Sequence, residues 1–193
     1  PSIQITNEML FQREDLVPFE GKELKTIAWI WARTVKSPNP SFSDIEVPLV
    51  TTFYLSRRKN REAFIEPIVE NNNYSFKVRT GLIDDDSSIK NGTKIARGAN
   101  FKCLLSGSII ADKYIKTESM AGRINKKLMA IVIEGPNGRI YLDPTKEQEE
   151  IILKASPKWS PDSPMNRKTS NLVSGRGYGF FNWSDLFDKR QLV

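Results

Sequence analysis

The stretch from residue 24 to residue 58 constrains the fold of this chain more than any other. It reads LKTIAWIWARTV, then KSPNPSFSDIEV, then PLVTTFYLSRR. Two segments rich in aromatic and β-branched residues flank a loop rich in Pro, Ser, Asn and Asp, which is typical of two strands around a long ordered turn. A helix remains the alternative for residues 24–35, because Trp, Ile and Ala occur in both states. A loop of this length needs a metal ion or a plug of side chains to hold it.

The rest of the chain predicts an α+β fold that is mostly β, an antiparallel sheet with a few short helices. Alternating apolar residues mark the strands, and Gly, Asn and Pro mark the turns between them. The predicted elements after residue 47 are strands over 48–58, 61–70, 74–80, 127–134 and 139–142 and short helices over 110–124 and from Thr145 to about residue 155.

Changes in composition divide the chain into four predicted segments. Residues 1–23 form an arm or a connection, and residues 24–155 form the β-rich domain. Residues 156–176, rich in Pro, Ser, Asn, Lys and Arg, form a flexible linker, and residues 177–193 begin a helix. The chain starts at Pro1 and stops inside this apolar segment, so we interpret it as a piece of a larger protein.

Histidine is absent from the 193 residues. This absence excludes a His-containing triad, a His metal ligand and imidazole acid–base catalysis. The single cysteine, Cys103, excludes an internal disulfide and fits a reducing cytoplasm. No apolar run reaches the length of a membrane span, so we expect no membrane partner. The net charge of +6 permits contact with nucleic acid without establishing it, and a domain with a basic surface is equally consistent.

Several segments, in order along the chain, resemble one family. They are TIAWIWARTVKSPNP, PLVTTFYLSRRKNREAFIEPIVE, FKVRTG, RGANFKCLLSG, MAGRINKKLMAIVIEGPNGRIYLDPT and YGFFNWSDLFDKRQL. They resemble the large bacterial and archaeal adenine-specific DNA methylases that carry a zinc-ribbon insert. The resemblance implies methyl transfer from S-adenosylmethionine to the exocyclic amine of adenine, performed by a doubly wound α/β domain. It also implies that DNA and this methyltransferase domain are the partners of a region like the present one.

The resemblance further implies a zinc site of four thiolates, and here the sequence departs from the family. The family's Cys-Pro-Asn-Pro-x-Cys loop and Cys-x-x-Cys-Gly knuckle correspond to SPNPSF and CLLSG, with Ser37, Phe42, Cys103 and Ser106 at the ligand positions. Serine hydroxyls are poor zinc ligands, so we expect a degenerate zinc-ribbon-like core with no metal ligands. Phe42 is expected to pack near Cys103, where burial contributes roughly 1.5–3 kcal/mol against ~10–16 kcal/mol for a structural zinc.

The chain lacks the two motifs that such a methyltransferase needs, a Gly-rich turn for S-adenosylmethionine and an Asp/Asn-Pro-Pro-aromatic loop for the flipped base. We therefore expect no catalytic residue and no cofactor in this chain, with S-adenosylmethionine belonging to the parent protein. The predicted function is to bind or orient DNA for a catalytic domain, in restriction–modification or phage defence. The alternative is a structural module that packs on that domain or on a partner subunit without contacting DNA.

Basic residues in two predicted turns are the candidates for contact with DNA phosphates, because Lys and Arg presented between strands supply salt-dependent affinity. They are Arg57, Arg58, Lys59, Arg61, Arg123, Lys126 and Lys127. Aromatic residues inside predicted strands are expected in the core instead of at a base-stacking surface. They are Trp29, Trp31, Phe53, Phe64 and Phe76.

Overall fold

The computed structural model describes residues 1–81, 87–95, 97–165, 175 and 177–192, and for residues 151–153 it describes the backbone alone. The strands are β1 (Ser2–Gln4), β2 (Glu23–Lys36), β3 (Glu46–Pro48), β4 (Tyr54–Arg58), β5 (Arg61–Glu70), β6 (Asn73–Thr80), β7 (Phe101–Lys102), β8 (Ile109–Ile110), β9 (Asn125–Gly135) and β10 (Gly138–Leu142). The α-helices are α1 (Ser87–Asn91), α2 (Asp112–Met120) and α3 (Lys146–Leu153). The predicted class, mostly β with a few short helices, is confirmed.

The main sheet is built on β2. The predicted strand over residues 24–35 is confirmed, and the helical alternative is wrong. β2 pairs antiparallel with β1 at its start, with β3 at its end and with β9 along most of its length, and β10 adds to the far side of β9. Side chains on both faces of β9 are buried from Leu128 to Ile133, which is why this strand reads as a nearly continuous apolar run, whereas β2 alternates buried and half-buried residues with exposed ones.

A second, three-stranded sheet in the order β4-β5-β6 packs on one face of the main sheet. The predicted hairpin is confirmed: Glu70 pairs with Asn73, and Asn71 and Asn72 form the turn with φ angles of 49° and 56°. Asparagine tolerates this left-handed conformation, which a two-residue hairpin turn requires.

The single strand predicted over residues 48–58 is instead two strands, β3 and β4. The fully buried Thr93 separates them, because its Oγ1 accepts from the Val50 amide at 3.0 Å and donates to the Pro48 carbonyl at 2.6 Å. The Thr93 amide also donates to the Val50 carbonyl at 2.9 Å. These three bonds occupy backbone N–H and C=O groups that a continuous strand would use to pair with its neighbour.

The core has two layers, one on each face of the main sheet. Between the sheets lie the buried Phe53 and Phe76, whereas the half-buried Phe64 lies opposite Arg79 on the other face of the second sheet. On the other face the half-buried Trp29 and Trp31 pack with buried aliphatic side chains. The prediction that these aromatic residues belong to the core is confirmed for Phe53 and Phe76, and Trp29, Trp31 and Phe64 pack half-buried against it.

Residues 1–23, predicted as an arm or a connection, cover the outer face of the main sheet. Ile5 and Leu16 are each 1% exposed and pack with Leu128, Ile131 and Ile133 of β9. The segment therefore contributes to the core.

The helix predicted to begin within residues 177–193 is not a continuous helix in the described residues. They form two separate 3-10 turns, Trp183–Leu186 and Lys189–Gln191. Polar side chains bind the backbone at the start of each turn: Asp185 Oδ2 accepts from the Asn182 amide and Gln191 Oε1 accepts from the Asp188 amide, both at 2.7 Å. Such local bonds compete with a continuous helix.

Part of the predicted linker over 156–176 lies outside the described residues, namely 166–174 and 176. Within its described part, Met165 is 4% exposed and its amide donates to the Phe181 carbonyl at 2.8 Å. None of the helices in the described part of the chain has the length and apolar character needed to cross a membrane.

Candidate functional site

The two loops that carry the predicted ligand positions lie side by side. Asn39 Nδ2 donates to Ser108 Oγ at 3.2 Å, and the hydroxyl of Ser37 hydrogen-bonds the thiol of Cys103. The Gly107 amide bonds the Cys103 carbonyl at 3.0 Å and closes a tight turn, in which Gly107 has a φ of +67° that glycine adopts without strain. Three of the four positions therefore meet: Ser37, Cys103 and Ser106.

The Cys103 thiol is a hydrogen-bonded group in this cluster. Burial raises the pKa of Cys103, but hydrogen bonds from the side chain and amide of Ser106, the amide of Leu105 and the side chain of Ser37 lower it, and the pKa ends below its usual value. These residues do not fit a zinc ion, because they offer one thiol and two neutral hydroxyls where zinc requires about four strong donors. Within the described ranges, no three His, Cys, Asp or Glu side chains converge on a place where a metal could bind.

Phe42, at the fourth position, lies apart from the expected site. It is half-buried at the end of the 3-10 turn Pro40–Phe42. The buried cluster around Cys103 is formed instead by Val35, Val47, Phe101, Ile110 and Ile115. Residues of four strands and of α2, and not the aromatic ring of Phe42, therefore form the buried cluster beside the thiol.

The turn between β4 and β5 presents the first group of predicted DNA contacts. Arg57, Arg58 and Lys59 are exposed, and no salt bridge among the described residues includes any of them. The guanidinium of Arg57 lies 4.2 Å from the centre of the Tyr54 ring, which restricts its motion without neutralising its charge. Arg58 lies directly opposite Arg61 in the hairpin, a like-charge pair that disfavours the folded state.

Arg61 connects this turn to the turn between β9 and β10, since its Nη1 donates to the Asn137 carbonyl. An open groove of about 1130 Å³ runs between the two turns. Arg139, which the sequence analysis missed, is exposed and also lines the groove. Glu14, Asp15 and Glu62 line it as well, and Asp15 is paired with the buried Arg13 at 2.8 Å. The groove is therefore mixed in charge, with its exposed cations on the two turns.

The second group of predicted contacts is engaged within the protein. Arg123 makes two hydrogen bonds to the Glu118 carboxylate, at 2.7 and 2.8 Å, which raise its pKa. Lys127 donates to the Tyr74 carbonyl at 3.0 Å and lies over the Tyr74 ring, and burial lowers its pKa. Lys126 forms an ion pair with Asp188. Among the described residues, the turn between β4 and β5 is therefore the place where several predicted contacts lack a carboxylate partner.

The structure also brings Arg33 and Arg190 close to Lys126, and the sequence analysis missed both. Arg33 lies opposite Lys126 in the sheet, and its guanidinium is 4.8 Å from the centre of the Phe180 ring. Arg190 lies 4.9 Å from the centre of the Trp31 ring. The register between the two predicted strands, if known, would have placed Arg33 beside Lys126. The position of Arg190 depends on tertiary packing of the tail.

The chain was compared with protein-family models, with curated proteins and with solved structures, and no match was found in any of the three comparisons.

Proposed function

We propose that this chain is a non-catalytic insert of an S-adenosylmethionine-dependent, adenine-specific DNA methyltransferase of the reducing cytoplasm, where it binds or orients DNA for the catalytic domain. The observation that carries this proposal is the turn between β4 and β5. Arg57, Arg58 and Lys59 project from it with no salt bridge in the described part of the chain. Unneutralised cations on a rigid hairpin suit the phosphates of DNA, because binding there releases condensed counterions.

In this proposal the scaffold behind the turn is a degenerate zinc ribbon. Its two loops are held together by hydrogen bonds among Ser37, Asn39, Cys103, Ser106 and Ser108. Hydrogen bonds of small hydroxyl side chains replace the metal–ligand bonds at the former ligand positions. The surrounding sheets supply the remaining stability.

Salt-dependent binding of a fluorescent DNA duplex tests the proposal. The variant R57A/R58A/K59A removes three cations from the turn, and we expect its slope of log affinity against log salt to be shallower by about 3, since each phosphate contact contributes about 0.9. The matched control K25A/K77A/K102A removes three exposed cations from β2, β6 and β7 and should change the slope far less. No binding at low salt, or equal slopes for the two variants, would contradict the proposal.

A structural module is the second candidate, and a different observation favours it. Four apolar side chains of the tail are each 40–46% exposed: Phe181, Trp183, Leu186 and Phe187. An apolar patch of this kind suits packing on a methyltransferase domain. This function predicts that F181S/F187S abolishes association with that domain, measured by sedimentation, and that the chain binds no DNA at low salt.

A further inference from the structure

Three cations lie close together where β2, β9 and the tail meet. Arg33 and Lys126 are opposite residues of β2 and β9, and Arg190 comes from the turn Lys189–Gln191. One carboxylate lies among them: Asp188 is paired with the Lys126 amine and accepts from Arg190 Nη2 at 3.0 Å. The side chains of Asp188 and Arg190 are only 20% and 23% exposed. Three positive charges thus share one negative charge, with Arg190 and Asp188 half-buried and Arg33 and Lys126 exposed.

The aromatic groups in contact do not balance this excess. Phe180 lies under Arg33 and Trp31 lies under Arg190, and these rings orient the guanidinium groups without supplying a full charge. Asp185 is the nearest acid to Asp188 in the tail sequence, and its carboxylate accepts hydrogen bonds from the amides of Phe181 and Asn182.

The charges within the cluster repel each other. Burial lowers the pKa of Lys126, and the neighbouring Arg190 and Arg33 lower it further. Burial also lowers the pKa of Arg190. The repulsion of Lys126 by Arg190 and Arg33 indicates that added negative charge beside Lys126 would be favourable.

We propose that Arg33, Lys126 and Arg190 form an anion site for a phosphate group, and that Asp188 occupies this site while no ligand is bound. A phosphate carries up to about twice the charge of a carboxylate and offers acceptor oxygens that match arginine donors. Displacing Asp188 breaks its two ion pairs and its side-chain capping of the turn Lys189–Gln191, but no hydrogen bond between strands. The phosphate could belong to a DNA backbone or to a free anion. The choice of a DNA backbone is the one part of this proposal that rests on the proposed function.

The test compares Asp188→Asn with Asp44→Asn, since each removes one negative charge. Asp44 is 98% exposed and lies 3.9 Å from its lysine partner, so it serves as the control. We expect Asp188→Asn to tighten duplex binding about threefold or more and to steepen the salt slope by about 1. In a calorimetric titration with inorganic phosphate, we expect saturable binding by Asp188→Asn and loss of that binding in D188N/R190Q.

The outcomes separate the site from the proposed function. Binding of phosphate by Asp188→Asn without DNA binding by any variant supports the site and counts against the DNA-binding function. A second outcome overturns the site but leaves the DNA-binding function standing. In it, DNA binding weakens in R57A/R58A/K59A, the two asparagine variants change it equally, and phosphate does not bind. Asp188 would then only fix the tail. If Asp188→Asn does not fold, NMR of the wild-type chain titrated with phosphate replaces the calorimetric test. Phosphate should shift the side-chain N–H signals of Arg33 and Arg190 but not the signal of the control Arg13. The absence of any shift at Arg33 and Arg190 overturns the site.

Discussion

At the scale of the residue, Tyr178 anchors the tail to α2 through two hydrogen bonds, one of its hydroxyl and one from Ser119 Oγ to its carbonyl at 2.6 Å. Its hydroxyl donates to Asp112 Oδ1 at 2.7 Å, and the Asp112 carboxylate is also paired with Lys116 of the same helix. Burial raises the pKa of Tyr178 to about 12, and the hydrogen bond and negative charge of Asp112 act in the same direction. The bond therefore exists while the phenol keeps its proton, which makes the attachment of the tail sensitive to alkaline pH.

We expect the free energy of unfolding to fall between pH 10 and about 12, because the unfolded chain ionises at the ordinary tyrosine pKa of 10.0 and the folded chain only near 12. Tyr178→Phe should lower the free energy of unfolding at pH 7 by about 1–2 kcal/mol, because it removes the hydrogen bond to a charged acceptor. The same variant should lose less stability than the wild type from pH 10 to 12, measured by urea unfolding at each pH. Parallel curves for the two proteins over that range would contradict this explanation.

At the scale of the element, sequence periodicity predicted the strands that are buried on one or both faces. β2, the β5–β6 hairpin, β9 and β10 lie where alternation and turn residues placed them, because burial of a sheet face imposes a period of two on the sequence. α3 also begins where predicted, and the Gln148 amide donates to Thr145 Oγ1 at 3.3 Å.

Elements fixed by distant partners were not predictable in the same way. Thr93 divides the strand predicted over 48–58 from a position more than 40 residues away. The salt bridge of Lys126 likewise depends on how the tail packs, which no local pattern records. The sequence therefore predicted most of the sheet and, of the candidate site, the residues of the β4–β5 turn. It missed Arg139, Arg33 and Arg190.

The N-terminal segment gives a prediction at this scale. Leu16 is 1% exposed in the 3-10 turn Glu14–Phe19 and packs against the main sheet, so Leu16→Ala should lower the free energy of unfolding by about 2–5 kcal/mol. Phe11 belongs to the same segment but is 73% exposed, so Phe11→Ala should change it by less than about 0.5 kcal/mol. Chemical denaturation measures both, and equal small effects would mean that residues 1–23 are not part of the folded core.

At the scale of the whole molecule, two packed sheets and a cluster of hydrogen-bonded loops support one another without strong metal donors. Cys103 is buried among strand residues on one side and hydrogen-bonded serines on the other. Each loop hydrogen bond contributes only about 1 kcal/mol, so the sheets must supply most of the stability that a structural metal provides elsewhere.

This arrangement predicts insensitivity to chelators. Thermal unfolding in excess EDTA should match unfolding in buffer, because no described group of residues offers the donors that a structural zinc needs. The refolding yield after denaturation should also be the same with and without added zinc. A fall in the unfolding temperature on chelation, with zinc recovered at one equivalent per chain, would contradict the proposed metal-free scaffold.

Site-directed photo-cross-linking tests the central claim, contact between the β4–β5 turn and DNA, most directly. A photoreactive label is attached to Lys59→Cys or to the control Glu70→Cys, an exposed position at the end of β5, while the native Cys103 is 1% exposed and should not react. The account predicts that the label at position 59 cross-links to duplex DNA at low salt, that high salt abolishes the product, and that position 70 gives little. Equal cross-linking from both positions, or none from position 59, would contradict it.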